Sequence, residues 1–86
     1  MTVAPAAFVY LLRCGDGSLY CGWTSDVARR LAEHQAGTAS RYTRVRLPVE
    51  LAWSKPMASR SEAMCEEARI KRLSRAGKLR LLAAGH

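Results

Sequence analysis

The chemistry this chain could do is suggested first by an arginine, a histidine and a few carboxylates at telling spacings. Arg30 and His34 are four residues apart, so on a helix they lie along one side. Arg30 offers a fixed fork of donors suited to a phosphate oxygen, and a histidine titrates near neutral pH. Together they read as a phosphate-handling pair. The alternative is a snorkelling arginine beside a satisfied surface histidine. Farther along, Glu62, Glu66 and Glu67 precede Arg69, Lys71, Arg72, Arg75, Lys78 and Arg80. A carboxylate there could serve Mg²⁺, which takes one or two carboxylates and keeps its waters. The alternative is intrahelical ion pairing, Glu67 with Lys71 and Glu66 with Arg69. Periodicity does not choose between Glu66 and Glu67. The three cysteines, Cys14, Cys21 and Cys65, are odd in number and form no CxxC pair. That argues against a disulfide framework and a four-ligand zinc site, and for small buried hydrophobes in a reduced, cytoplasmic setting.

These side chains need elements to hold them. Phe8 to Leu12 and Leu19 to Thr24 are rich in β-formers, with Gly15-Asp16-Gly17-Ser18 as a turn between them. They read as a β-hairpin. Thr24, Ser25 and Asp26 offer N-caps for a helix over Val27 to Gln35, with Gly37 as its stop. On that helix Val27 and Leu31 define the buried stripe. Arg30 flanks it, and Arg29 and Glu33 fall on the far side. Residues 38–47 are polar, Arg-rich and loop-like. Pro48 to Ser54 reads as a third strand. Ser59 or Ser61 caps a helix from about Glu62 to Arg75, with Ala63, Ile70 and Leu73 inward. Gly77 breaks it, and a last helix covers Lys78 to Ala84. The expected fold is α+β, in the order β-β-α-β-α-α, with a small three-stranded, mostly antiparallel sheet.

Composition limits what such a fold can serve. A chain of 86 residues implies one domain, 1–86, too small for a dinucleotide fold. Hydrophobic residues at 49% and charged residues at 24% are those of a globular chain. Fourteen Lys+Arg against seven Asp+Glu leave +7, a dense positive field that points to nucleic acid ahead of an anionic membrane. No apolar stretch is long enough for a membrane span. The run from Val3 to Leu12 has no basic residues ahead of it and contains Pro5, so no signal peptide is expected.

The order of the motifs is more specific than any one of them. Phe8-Val9-Tyr10 is followed by Tyr20-Cys21-Gly22, then Arg30, His34 and the Glu set in Ser61 to Glu67. This resembles the GIY-YIG nuclease superfamily over about residues 7–80. Gly37 to Arg44, Leu47 to Leu51 and Ile70 to Arg75 resemble its small stand-alone bacterial members. Phe8 and Val9 stand where the motif has Gly and Ile, and Cys21 replaces the middle Ile.

The resemblance implies a divalent-metal-dependent endonuclease acting on DNA, with Tyr10, Tyr20, Arg30, His34 and Glu67 at the matching positions. Glu67 would hold one cation, Mg²⁺ or Mn²⁺. Arg30 would pair with a non-bridging phosphate oxygen. Tyr10, relayed by His34, would take a proton from water, although a phenol of pKa near 10 is a poor base at neutral pH. Tyr20 would orient the water or bond the phosphate. Arg41, Tyr42, Lys71 and Arg75 would contact the nucleic acid, Tyr42 by stacking. So small a domain could need a second copy or a larger partner to grip a duplex. A non-catalytic nucleic-acid-binding module is the alternative.

Hairpin parity makes one part of this geometric. A two-residue loop at Asp16-Gly17 would put Tyr10 and Tyr20 on opposite faces of the sheet. A three-residue loop, Gly15-Asp16-Gly17, would pair Tyr10 with Gly22 and put both rings on one face. A shared site requires the odd loop, or a bulge of the same effect. Gly22 opposite Tyr10 would then leave space where a phosphate could approach.

Overall fold

A computed structural model describes residues 4–84; Val3, the start of the apolar run, and the outermost residues of the 1–86 domain lie outside it. The two N-terminal runs form β1 (Ala7–Arg13) and β2 (Leu19–Thr24), followed by α1 (Val27–Gln35). The hairpin loop has three residues. Cys14 and Ser18 pair through a 2.9 Å backbone bond, and Gly17 takes the left-handed conformation at φ 83°. That choice fixes the register, which pairs Tyr10 with Gly22 and Leu12 with Tyr20. The tyrosines therefore leave the same face.

The segment read as loop contains a four-residue helix, α2 (Arg41–Arg44). The Ser40 side chain caps it by accepting from the Thr43 amide. So short a helix leaves no apolar period to see. The third strand, β3 (Glu50–Met57), starts two residues after Pro48 and runs past Ser54. It pairs antiparallel with β1, giving a three-stranded sheet in the order β2-β1-β3.

Beyond the sheet, α3 (Arg60–Lys71) is capped by Ser59. The break to α4 (Arg75–Ala83) comes at Ser74, earlier than Gly77. Ser74 starts the new helix by accepting from the Gly77 amide at 3.1 Å, so Gly77 lies inside α4. A Cβ there would meet Leu73 Cβ at 3.2 Å, which makes Gly77 a packing residue and not a breaker.

The sheet separates two cores. One holds Val9, Leu11, Cys21, Trp53, Ala63 and Ile70, backed by α3 and α4. Each fully buried aliphatic side chain there contributes roughly 1.5–3 kcal/mol. The other holds Tyr10, Leu12, Cys14 and Val49, with Tyr20 and Leu31 packed against it. Cys14 and Cys21 are buried as expected, whereas Cys65 is exposed on α3. Among the described residues no helix is long and apolar enough to cross a membrane.

Candidate active site

The face of the sheet that carries Tyr10 and Tyr20 is covered by α1, and the contact is made by a histidine. His34 has no exposed surface, while Val27 and Leu31 are only half-buried. The alternative of a surface histidine is excluded by this burial. Periodicity ranked the apolar side chains inward, but the sheet presents a phenol that only a polar ring can meet. His34 Nε2 lies 2.9 Å from the Tyr10 hydroxyl, and Nδ1 lies 2.8 Å from Thr43 Oγ1 of α2. The Tyr20 ring meets the His34 ring edge-on, with centroids 5.2 Å apart.

Gly22 is what lets this ring layer close. A Cβ at Gly22 would stand 2.5 Å from the Tyr10 oxygen and 2.6 Å from Cζ. The space opposite Tyr10 is therefore filled by Tyr10's own ring and is not open for phosphate. Tyr10 is 3% exposed. Burial pushes its phenol up to about 12, eased by the Arg30 guanidinium beside it and reinforced by Tyr20 and Glu67. Burial also lowers His34, as does the positive charge of Arg30, which favours the neutral imidazole.

Arg30 is half-buried and ion-paired to Glu33 at 3.1 Å. Glu33 and then Tyr10 raise its pKa, which keeps it cationic. Glu33 is not on the far side: the i,i+3 and i,i+4 spacings let it bridge Arg30 and Arg29. The Arg29 side chain is 78% exposed, as its outward position implied. Arg30 also borders a shallow depression of about 300 Å³ shared with Arg29 and Arg60.

The structure separates the two glutamates. Glu66 is held by Arg69 at 2.6 Å and Lys55 at 3.0 Å. These partners, Arg69 foremost, bring its carboxyl down to about 2 despite burial. Glu67 has a looser pair with Lys71 at 3.7 Å, and its charge reaches the Tyr10 hydroxyl. Its backbone carbonyl lies 4.0 Å from Cys21 Sγ, so this part of α3 sits beside β2. Cys21 itself is inert, its thiol pushed to about 12 by burial. Among the described residues no three His, Cys, Asp or Glu side chains gather as a metal cage. One carboxylate suits a cation that keeps most of its waters, and Glu67 fits that requirement.

A profile of the GIY-YIG catalytic domain matches residues 6–80. The chain belongs to the GIY-YIG family. A UPF0213 protein of Natronomonas pharaonis is 53% identical over 81 residues, 94% of this chain and 95% of that one. A UPF0213 protein of Streptococcus sanguinis is 51% identical over 73 residues, 85% of this chain and 84% of its own. The solution structure of a UPF0213 protein from Bacillus halodurans superposes with a TM-score of 0.61 at 42% identity, covering 92% of this chain and 84% of that one. A solution structure from E. faecalis gives 0.62 at 37%, covering 100% and 95%.

Within this GIY-YIG domain the four nucleic-acid candidates have separate settings. Arg41 is exposed at the start of α2. Tyr42 is not a bare stacking platform. Its ring stacks on Tyr20 at 5.6 Å and carries the Arg46 guanidinium 3.8 Å from its centroid. Lys71 is paired with Glu67, and Arg75 donates to the Gly17 carbonyl at 2.8 Å, pinning the hairpin tip. Sequence reasoning missed Thr43, Arg46 and Glu33. Thr43 had a faint signal, because Ser40-x-x-Thr43 is a capping spacing. Nothing in the spacing tied it to His34.

Proposed function

We propose that this GIY-YIG domain is a metal-dependent endonuclease that hydrolyses phosphodiester bonds in DNA, single-stranded or branched DNA being the substrate its small surface can engage. The observation that carries the reading is the buried 2.9 Å contact between Tyr10 and His34, with Arg30 and Glu67 both acting on the same phenol. Phosphodiester hydrolysis needs a proton taken from water and charge neutralised on the phosphate. Tyr10 is the group that takes the proton, with His34 behind it. Arg30, kept cationic by Glu33, faces a non-bridging oxygen. Tyr20 orients the water or bonds the phosphate. Glu67 would hold one Mg²⁺ or Mn²⁺, which supplies charge neutralisation at the phosphate and at the leaving oxygen. Arg41, Lys71 and Arg75 contact the backbone, with Tyr42 at the edge of the site. A homodimer or a larger partner would extend that grip, and a role in DNA repair or recombination in the cytoplasm fits such a substrate.

A second reading, a binding module without turnover, draws on the Tyr10 phenol at about 12, a shift away from what a base needs. One experiment separates the two. Purified protein is incubated with single-stranded, duplex and flap DNA, with and without Mg²⁺ or Mn²⁺. Metal-dependent nicking that disappears in Glu67→Ala, with DNA affinity retained, supports the nuclease. Binding without nicking on every substrate leaves the module.

A further inference from the structure

The proton arrangement around His34 follows from a count of donors and acceptors, and it deepens the nuclease reading above, on which its role rests. Tyr10 carries one hydroxyl proton. Arg30, beside the phenol, has donors only and cannot receive that proton. His34 Nε2, at 2.9 Å, can. Nε2 is then the bare nitrogen, and a neutral imidazole carries its proton on Nδ1. Nδ1 lies 2.8 Å from Thr43 Oγ1, which must accept. Thr43 is therefore obliged to send its own proton elsewhere. Ser40 provides for that, with Oγ at 3.1 Å and the backbone carbonyl at 3.4 Å. A threonine hydroxyl commonly donates to the carbonyl three or four residues back. Thr43 and His34 have no exposed surface, so solvent does not compete for these bonds.

The geometry points to Thr43 as a positioning residue that holds His34 in the Nδ1–H tautomer, leaving Nε2 open to the Tyr10 proton. As water attacks, its proton passes to the Tyr10 oxygen and the Tyr10 proton passes to Nε2. The new O–P bond forms, the P–O bond to the leaving group breaks, and the departing oxygen takes a proton from solvent. His34 then releases its extra proton and the arrangement is restored. With the other tautomer, Nε2 would already be protonated and could not receive anything.

Imidazole ¹⁵N NMR near neutral pH tests this directly. His34 and His86 are the two histidines, so His86→Gln leaves one ring to observe. Protonated Nδ1 and bare Nε2 are expected in this background and with Thr43→Ser added. Thr43→Val keeps the shape and removes the acceptor, and Nδ1 should lose its sole hold on the proton. On DNA, Thr43→Val should lower kcat by about a hundredfold with KM unchanged, and Thr43→Ser should restore it. An Nε2–H tautomer before any change at Thr43, or Nδ1–H persisting in Thr43→Val, overturns the assignment. The spectrum does not depend on turnover. Nδ1–H in a protein that cleaves no DNA supports the tautomer and overturns the nuclease.

Discussion

Replacing Gly22 by alanine puts one methyl group where the Tyr10 ring already is. The new Cβ would lie 2.5 Å from the phenol oxygen and 2.6 Å from Cζ. Ordinary carbon contacts are about 3.5–4.0 Å, so the ring must retreat by about 1 Å. A free tyrosine could swing aside, but this one is 3% exposed and bonded to a fully buried His34. Overpacking of a tight core costs roughly 1–3 kcal/mol. Stretching the buried hydrogen bond adds about 1 kcal/mol. Against this, alanine in place of a strand glycine gains roughly 0.5–1 kcal/mol. The net is a destabilisation of about 2 kcal/mol, or a Tm lower by roughly 8–16 °C for a domain of this size. The decisive assay is a double-mutant cycle with Tyr10→Ala, read by thermal melting. With the ring gone, Gly22→Ala should become neutral or stabilising. The same cost in both backgrounds would refute the steric reasoning.

Four further outcomes follow from the charges. Arg30→Ala should lower the cleavage rate even at saturating DNA, whereas Arg29→Ala, whose side chain is 78% exposed, should change little; equal effects would mean that neither faces the phosphate. Glu66 stabilises the fold fully above its usual 4.5 and loses that contribution as pH falls toward 2, so acid unfolding of Glu66→Gln should be flatter across that window. Tyr10 has the opposite sign: its raised phenol favours the protonated folded state up to pH 10, and that contribution drains away between 10 and 12, a loss missing from Tyr10→Phe. DNA affinity should fall steeply with salt, and Arg72→Ala with Arg75→Ala should reduce the log–log slope; a flat dependence would remove phosphate contact as the main force.

The hairpin was readable because it reduces to parity: one odd loop decides which face every side chain takes, and Gly17 could adopt the conformation that loop needs. The strands and caps followed from β-branched runs and from Asp26 and Ser59, whose side chains do cap α1 and α3. The second helix was invisible because it has four residues and no apolar stripe. The α3–α4 break was misplaced because a glycine looks like a stop, while Ser74 supplied a better start. At the site, chain order grouped Tyr10, Tyr20, Arg30 and His34, and the fold does bring them together. Spacing could not show that His34 is buried, nor that Thr43 from a separate segment meets its other nitrogen. Those contacts depend on how α1 and α2 sit across the sheet, which no local pattern encodes. Periodicity alone left Glu66 and Glu67 equivalent, because the Lys55 that holds Glu66 comes from β3, eleven residues away in the chain.

Because the sheet is a partition, a mutagenic library could be confined to one side of it. The packing around Trp53, Ala63 and Ile70 shares no member with the layer that contains Tyr10, Leu12, Cys14 and Val49. Repacking the former should raise or lower melting temperature while the phenol and imidazole keep their places. On the Tyr10 side no such freedom exists, since the Tyr10 ring is itself part of the filling. Thermostable variants should therefore be sought by randomising the buried positions around Trp53, Ala63 and Ile70, with Glu67, Lys71 and Arg75 of α3 and α4 left unchanged and turnover scored as a control.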